Sequence, residues 1–176
     1  GQGYIQTTPI HLCLMTAQIA NGGHKIYPQI VVDENNKVSP IDKFKTLYEN
    51  SKNIKIVQDA MYASTNEVRG TSYRSRIDDP KYQFAGKTGT AQVKKITERD
   101  RELDLKTFQI PYEERDHALY IAYGPYKNPR YAVSILVEHG GNGSTTAAPM
   151  AKKLFKTIID RHQLRESINN KKYLDI

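Results

Sequence analysis

The 176-residue sequence predicts an α+β fold, an antiparallel sheet packed against helices. Two runs, 117–123 and 131–138, are rich in β-branched and aromatic residues, and the Gly124 to Arg130 stretch between them carries turn-forming glycine and proline. They should pair antiparallel as a hairpin. A third extended stretch, 83–93, precedes them, and segments 10–20 and 146–162 place apolar residues at helical spacing. The length suits one well-buried core over residues 1–162, followed by a charged tail at 163–176.

Taken in order, Thr8-Pro9 opens a helix with a threonine cap and a proline in the first turn, and Asn21-Gly22-Gly23 ends it. Its apolar residues fall on two faces, 10-13-14-17 and 12-15-19, which predicts cover by protein on most sides. Residues 25–32 read as a short edge or irregular strand because of Pro28, and 33–40 as a polar loop. A second helix spans 53–68, with Ile54, Val57, Met61 and Val68 on its buried side, and Arg69-Gly70-Thr71 closes it. Residues 72–81 are a polar connection into the 83–93 strand. Residues 94–116, dense in both charge signs, form a solvated insertion that is partly helical. After the hairpin, 139–144 is a glycine-rich loop into the last helix, whose apolar stripe is Ala147, Ala151, Leu154 and Ile158.

Composition narrows the function. The formal charge of +7 favours anionic partners. The lysines are nevertheless scattered, with small pairs only at 94–95, 152–153 and 171–172, and no aromatic-basic interleaving marks a nucleic-acid binder. No apolar run is long enough to span a bilayer, no signal peptide is visible, and the missing initial Met suggests a fragment or processed chain. The five histidines show no paired ligand spacing, so neither a metal nor another cofactor is expected. Cys13, the single cysteine, lies between two leucines and reads as a small core residue.

The chemistry concentrates in Phe84-Ala85-Gly86-Lys87-Thr88-Gly89-Thr90-Ala91-Gln92-Val93. Strands tolerate glycine where something approaches the backbone closely, and bare amides beside a lysine and two threonines suit a carboxylate or a developing oxyanion. A phosphate loop is excluded, because the glycine it requires five residues before Gly86 is Lys81. Lys87-Thr88-Gly89 is instead the K-T-G element that accompanies S-x-x-K and S-D-N in serine acyl-transfer enzymes.

In this ordered context the chain resembles the C-terminal part of the transpeptidase domain of class B penicillin-binding proteins of the elongation type. The residues that carry the resemblance are Gly1-Gln2-Gly3, Thr8-Pro9 with its helix ending Ala20-Asn21-Gly22-Gly23, Ala85 to Gln92, Asp116 to Leu119, Ala122 to Pro129, and Gly140-Gly141. They extend over residues 1 to about 162. The resemblance implies a partial penicillin-binding and β-lactamase-like fold, in which the outer edge of Tyr131 to Glu138 lacks a strand supplied by sequence before residue 1 and is expected to be covered by a symmetry mate, a dimer partner or a rearranged tail. It also implies serine acyl transfer on peptidoglycan stem peptides ending in D-Ala-D-Ala, with β-lactams as mimics that trap the serine. By resemblance, Lys87 contributes positive potential and orients a hydroxyl of the second element. The hydroxyls of Thr88 and Thr90 meet the ligand carboxylate, Gly89 keeps the strand bare, and the Thr90 N–H supplies half the oxyanion hole.

One departure is large. No serine is followed three residues later by lysine, so the nucleophile is not in these residues. Ser51-Lys52-Asn53 and Ser64-Thr65-Asn66 fit S-x-N but follow landmarks that the true element should precede, and are read as chance matches. The chain is therefore expected to be inactive alone. The parent is expected to be anchored in the bacterial inner membrane with this domain in the periplasm, to work with wall-elongation proteins, and to need no membrane contact or nucleic acid here. Two alternatives stay open: a non-catalytic β-lactam or peptide receptor of the same fold, and a protein-interaction module with a basic surface that uses the 94–116 insertion.

Overall fold

The computed structural model describes residues 5–28, 45–94, 98–103 and 105–174. Strands β1 (Ala85–Ala91), β2 (His117–Gly124) and β3 (Tyr131–Val137) form one antiparallel sheet in the order β1-β2-β3. Ala85 faces Tyr123 and Ala91 faces His117 across the first ladder, and Gly124 faces Tyr131 across the second. The hairpin expected from the sequence is therefore present.

Because strand side chains alternate between faces, Ala118, Tyr120 and Ala122 share one side of the sheet. There they pack with Phe84, Ile77 and the C-terminal helix in the larger core cluster. The Phe84 ring stacks on Phe155 at 4.9 Å and meets Tyr120 edge-on at 6.4 Å. On the other side, Ala85 and Tyr123 pack with Ile19 of α1 (Pro9–Ala20) and Met61 of α2 (Ser51–Asn66).

Helix α1 starts as the sequence dictates, with the Thr8 side chain capping His11 N–H. It ends at Asn21, whose Oδ1 accepts from Gly23 and His24 N–H, and at two glycines in the left-handed region. Among the described residues the expected cover is partial, with most of the helix buried or half-buried. Thr16 and Ile19 are buried, whereas Ile10 and Met15 are exposed. Among the described residues α1 packs on β3 and β2 and, near its C-terminal end, on α2, where Gln58 Nε2 donates to Ile19 O at 2.7 Å. Of the expected 25–32 strand, residues 25–28 are irregular beside a single bridge between His24 and Thr46, and 29–32 lie outside the described residues, as do the 33–40 loop and Gly1 to Gly3.

Helix α2 begins two residues earlier than expected, because Asn50 accepts from Lys52 N–H as its cap. Ile54 and Met61 are buried as predicted, but Val57 and Val68 are exposed, and Thr65 takes the third buried position. Ile54, Met61 and Thr65 lie near the same helical angle; Val57 sits about 60° to one side, at the exposed flank of that face, and Val68 follows the helix end.

Between β1 and β2 the insertion forms α3 (Glu98–Leu103) and two 3-10 turns at Thr107–Gln109 and Tyr112–Glu114, with Lys94 paired to Glu114 at 2.6 Å. Helix α4 (Ala147–Leu174) corrects two expectations. Its buried stripe is Ala147, Ala148, Ala151, Phe155 and Ile159, with Leu154 turned outward. Glycine at 124 decides this rotation, since a methyl group there would lie 3.1 Å from Phe155 Cδ1, and the ring fills the space left open. The charged tail is not separate from the helix either. No glycine or proline interrupts 163–174, and Glu166 accepts from His162 one turn back at 2.8 Å and from Arg130 at 3.1 Å, so helix continues to Leu174. Among the described residues β3 pairs only with β2, and its outer edge carries no strand.

Candidate active site

Lys87, Thr88, Gly89 and Thr90 occupy the middle of β1, an edge strand of the sheet among the described residues. Lys87 is exposed and its Nζ donates to the Thr88 carbonyl at 2.8 Å. That carbonyl therefore points away from β2. In an antiparallel ladder the N–H and C=O of one residue point the same way and alternate between neighbours. Gly86, Thr88 and Thr90 thus turn their backbone groups outward, while Lys87 and Gly89 turn theirs toward β2.

Helix α2 covers the first half of this edge. Asn66 Nδ2 donates to Phe84 O at 2.9 Å, and Thr65 Oγ1 reaches Gly86 O at 3.5 Å. The helix ends at Asn66, so from Thr88 onward its cover is gone. Beside that opening the Thr88 hydroxyl lies 3.4 Å from Thr71 Oγ1, which lies 3.3 Å from Ser64 Oγ. A lysine, a threonine pair and an outward row of backbone groups meet along one strand edge, a surface suited to an extended ligand with a carboxylate.

The two glycines of β1 serve different ends. A methyl group at Gly86 would lie 2.4 Å from Tyr120 Oη and 2.5 Å from its Cζ, so the close approach here is an internal tyrosine and not a ligand. The buried Tyr120 hydroxyl bonds Thr65 Oγ1 at 2.9 Å and Ser72 Oγ at 3.0 Å. Burial pushes its phenol above the usual range, with the two hydroxyl partners opposing the shift. This hub ties β2 to α2 and to the 70–72 turn that carries Thr71. At Gly89 a methyl group would meet Leu119 Cβ at 3.2 Å, a milder crowding.

Thr65, Thr71, Ser72 and Tyr120 were not singled out in the sequence. Thr65 could have been, since it continues the 54-61 spacing of the buried face of α2. The S-x-N matches at Ser51 and Ser64 fall in the first and last turns of α2, where Asn66 serves the fold through Phe84 O. Cys13 is half-buried; its Sγ donates to Ala132 O at 3.4 Å and burial pushes the thiol up, the reverse of an activated nucleophile. His117 Nδ1 accepts from His139 N–H at 2.9 Å, and His139 Nδ1 bonds Arg115 O at 3.1 Å, so both rings hold loops. Among the described residues no group of three His, Cys, Asp or Glu could hold a metal ion.

This geometry has relatives. The family model described as penicillin binding protein transpeptidase domain matches residues 1–159. The chain is similar to the peptidoglycan D,D-transpeptidase MrdA of Salmonella typhimurium, 32% identical over 166 residues that make up 91% of this chain and 26% of that protein. Among solved structures it resembles PBP2 of Helicobacter pylori in complex with MreC, with a TM-score of 0.70 and 30% identity over 91% of this chain and 26% of that one. It also resembles PBP2 of Pseudomonas aeruginosa in complex with WCK 5153, with a TM-score of 0.68 and 35% identity over 89% of this chain and 31% of that one. The chain spans about a quarter of the length of the curated relatives it matches. Since the family match extends through β1 and the hairpin and into α4 as far as residue 159, the chain belongs to the penicillin binding protein transpeptidase domain family.

Proposed function

We propose that the chain is the C-terminal part of a peptidoglycan D,D-transpeptidase and forms one wall of its substrate and β-lactam site. The half of the β1 edge beyond α2, with Lys87 beside it, supports this reading above all. In the proposed reaction a serine supplied by sequence outside these residues attacks the carbonyl of the terminal D-Ala-D-Ala peptide bond. The departing D-Ala takes the proton, and an amine of a neighbouring strand then displaces the serine from the acyl group. Lys87 supplies positive potential, Thr88 and Thr90 hydroxyls receive the ligand carboxylate, and the outward Thr90 N–H donates to the oxyanion.

The parent is proposed to be membrane-anchored with this domain in the periplasm, as peptidoglycan chemistry requires. Partners of the wall-elongation machinery are proposed as well, a reading supported by the MreC complex of the Helicobacter pylori relative. The test is labelling with a fluorescent penicillin. The parent protein should label, and Lys87→Ala should slow labelling about 10²-fold or more. An exposed lysine should leave the melting temperature nearly unchanged. The 176-residue chain alone should not label; its labelling would refute the placement of the nucleophile elsewhere.

A further inference from the structure

Gly143 lies in the 139–146 loop that leads from β3 to α4. A methyl group there would lie 2.4 Å from the Leu119 carbonyl oxygen, 2.7 Å from the Gly89 carbonyl oxygen and 3.3 Å from the Gly89 nitrogen. Gly89 and Leu119 are directly opposed in the β1–β2 ladder, and the contacted atoms are backbone, so no side-chain rotation relieves the crowding. Gly143 is not among the residues with a left-handed backbone. Its glycine is required by space and not by conformation. The loop itself is held: the Gly143 carbonyl accepts from Ala147 and Ala148 N–H at 3.1 and 2.9 Å, and Thr146 Oγ1 donates to Gly140 O at 2.8 Å.

We infer that Gly143 is a positioning residue for the Gly89–Thr90 peptide. The Gly89 carbonyl and the Thr90 N–H belong to one planar unit, so a push on the oxygen facing β2 turns the N–H that faces outward. A side chain at 143 therefore misaims the Thr90 donor without touching ligand. The inference rests on the acyl-transfer reading above, in which that N–H meets the oxyanion, and it places the loss in the acylation step more than in initial binding.

The test compares the wild-type parent protein with Gly143→Ala and Gly124→Ala in time courses of fluorescent-penicillin labelling, which separate the acylation rate constant from the half-saturating concentration. Gly124→Ala is the control, because its methyl group crowds Phe84 and Phe155 at 3.1 Å in the core at the far end of the β1–β2 ladder from Ala91. Gly143→Ala should lower the rate constant about tenfold or more, with half-saturation within roughly twofold. Gly124→Ala should lower the melting temperature and leave the rate constant of the folded fraction intact. If Gly143→Ala yields no folded protein, Thr146→Val loosens the same loop without added bulk; it should slow the same step, and Thr146→Ser should restore it. A wild-type rate constant in Gly143→Ala, or in Thr146→Val where that variant stands in, overturns the inference, as does equal slowing in Gly124→Ala. A wild-type parent that takes no penicillin refutes the transpeptidase reading itself and this inference with it.

Discussion

Tyr120→Phe tests whether the buried hydroxyl hub holds the candidate site together. The substitution removes one oxygen that bonds Thr65 Oγ1 at 2.9 Å and Ser72 Oγ at 3.0 Å. Two net hydrogen bonds would be worth about 1–3 kcal/mol. Ser72 keeps Ser64 O at 3.0 Å and Thr65 keeps Met61 O at 3.4 Å, so neither partner is left wholly unsatisfied. The expected loss is therefore about 1–2 kcal/mol, a fall of roughly 2–8 °C in melting temperature for a domain of this size. Thermal and urea unfolding of the parent domain would measure it. The companion variant Gly86→Ala should cost about 1–3 kcal/mol through overpacking, and nearly as much when combined with Tyr120→Phe. That follows because the ring carbons Cζ and Cε1, at 2.5 and 2.7 Å from the added methyl group, remain after the hydroxyl is gone. A neutral Tyr120→Phe would refute the hub. Full relief of Gly86→Ala by the Tyr120→Phe substitution would show that only the hydroxyl excludes a side chain at 86.

Two further outcomes follow from packing and charge. Phe155→Ala should cost about 3–5 kcal/mol by urea unfolding, because the fully buried ring stacks on Phe84 and fills the space beside Gly124; a loss below about 1 kcal/mol would contradict that packing. Glu166 has its carboxyl held below the usual 4.5, first by the Arg130 hydrogen bond and then by that of His162. A depressed folded-state value stabilises above the unfolded value and is lost as pH falls through the folded one. Glu166→Gln should therefore flatten the acid limb of a melting-temperature profile below about pH 4.5 and leave its slope above unchanged. An acid limb identical to wild type would refute the pairing.

The strands and both hairpin partners were legible because alternation and β-branched composition agree with the turn chemistry at Gly124 to Arg130. Helix existence was legible as well, and the misplacements have local causes. The start of α2 moved to Ser51 because Asn50 caps it, and α4 outran its expected end because nothing in 163–174 stops a helix. The rotation of α4 could not be read from its own sequence, since Leu154 and Phe155 are equally apolar and the deciding feature is a glycine on another element, at 124. The same holds at the site. Lys87 to Thr90 announce themselves by motif, but what separates Gly86 from Gly89 is the β2 side chain each one meets, the diagonal Tyr120 ring beneath one and the directly opposed Leu119 beside the other. Gly143 read only as part of a glycine-rich loop, because spatial crowding by another strand's backbone leaves no local pattern.

The division of the β1 edge also bears on how the strand stays single before a ligand arrives. An exposed strand edge invites pairing with another chain, and proteins blunt such edges with helices or lysines. Both devices are present on β1: α2 covers Phe84 and Gly86 through Asn66 and Thr65, and the Lys87 ammonium caps the Thr88 carbonyl. The two covers differ in cost of removal. Lifting α2 would expose Met61 and break the Tyr120 hub, whereas the Lys87 contact lies in solvent, where such bonds contribute little. On the proposed function, an extended peptide takes the Thr88 carbonyl with its own N–H and releases the ammonium toward its carboxylate. The lysine that blunts this edge also supplies positive potential to the proposed site, so its removal should leave the edge stickier as well as the site weaker.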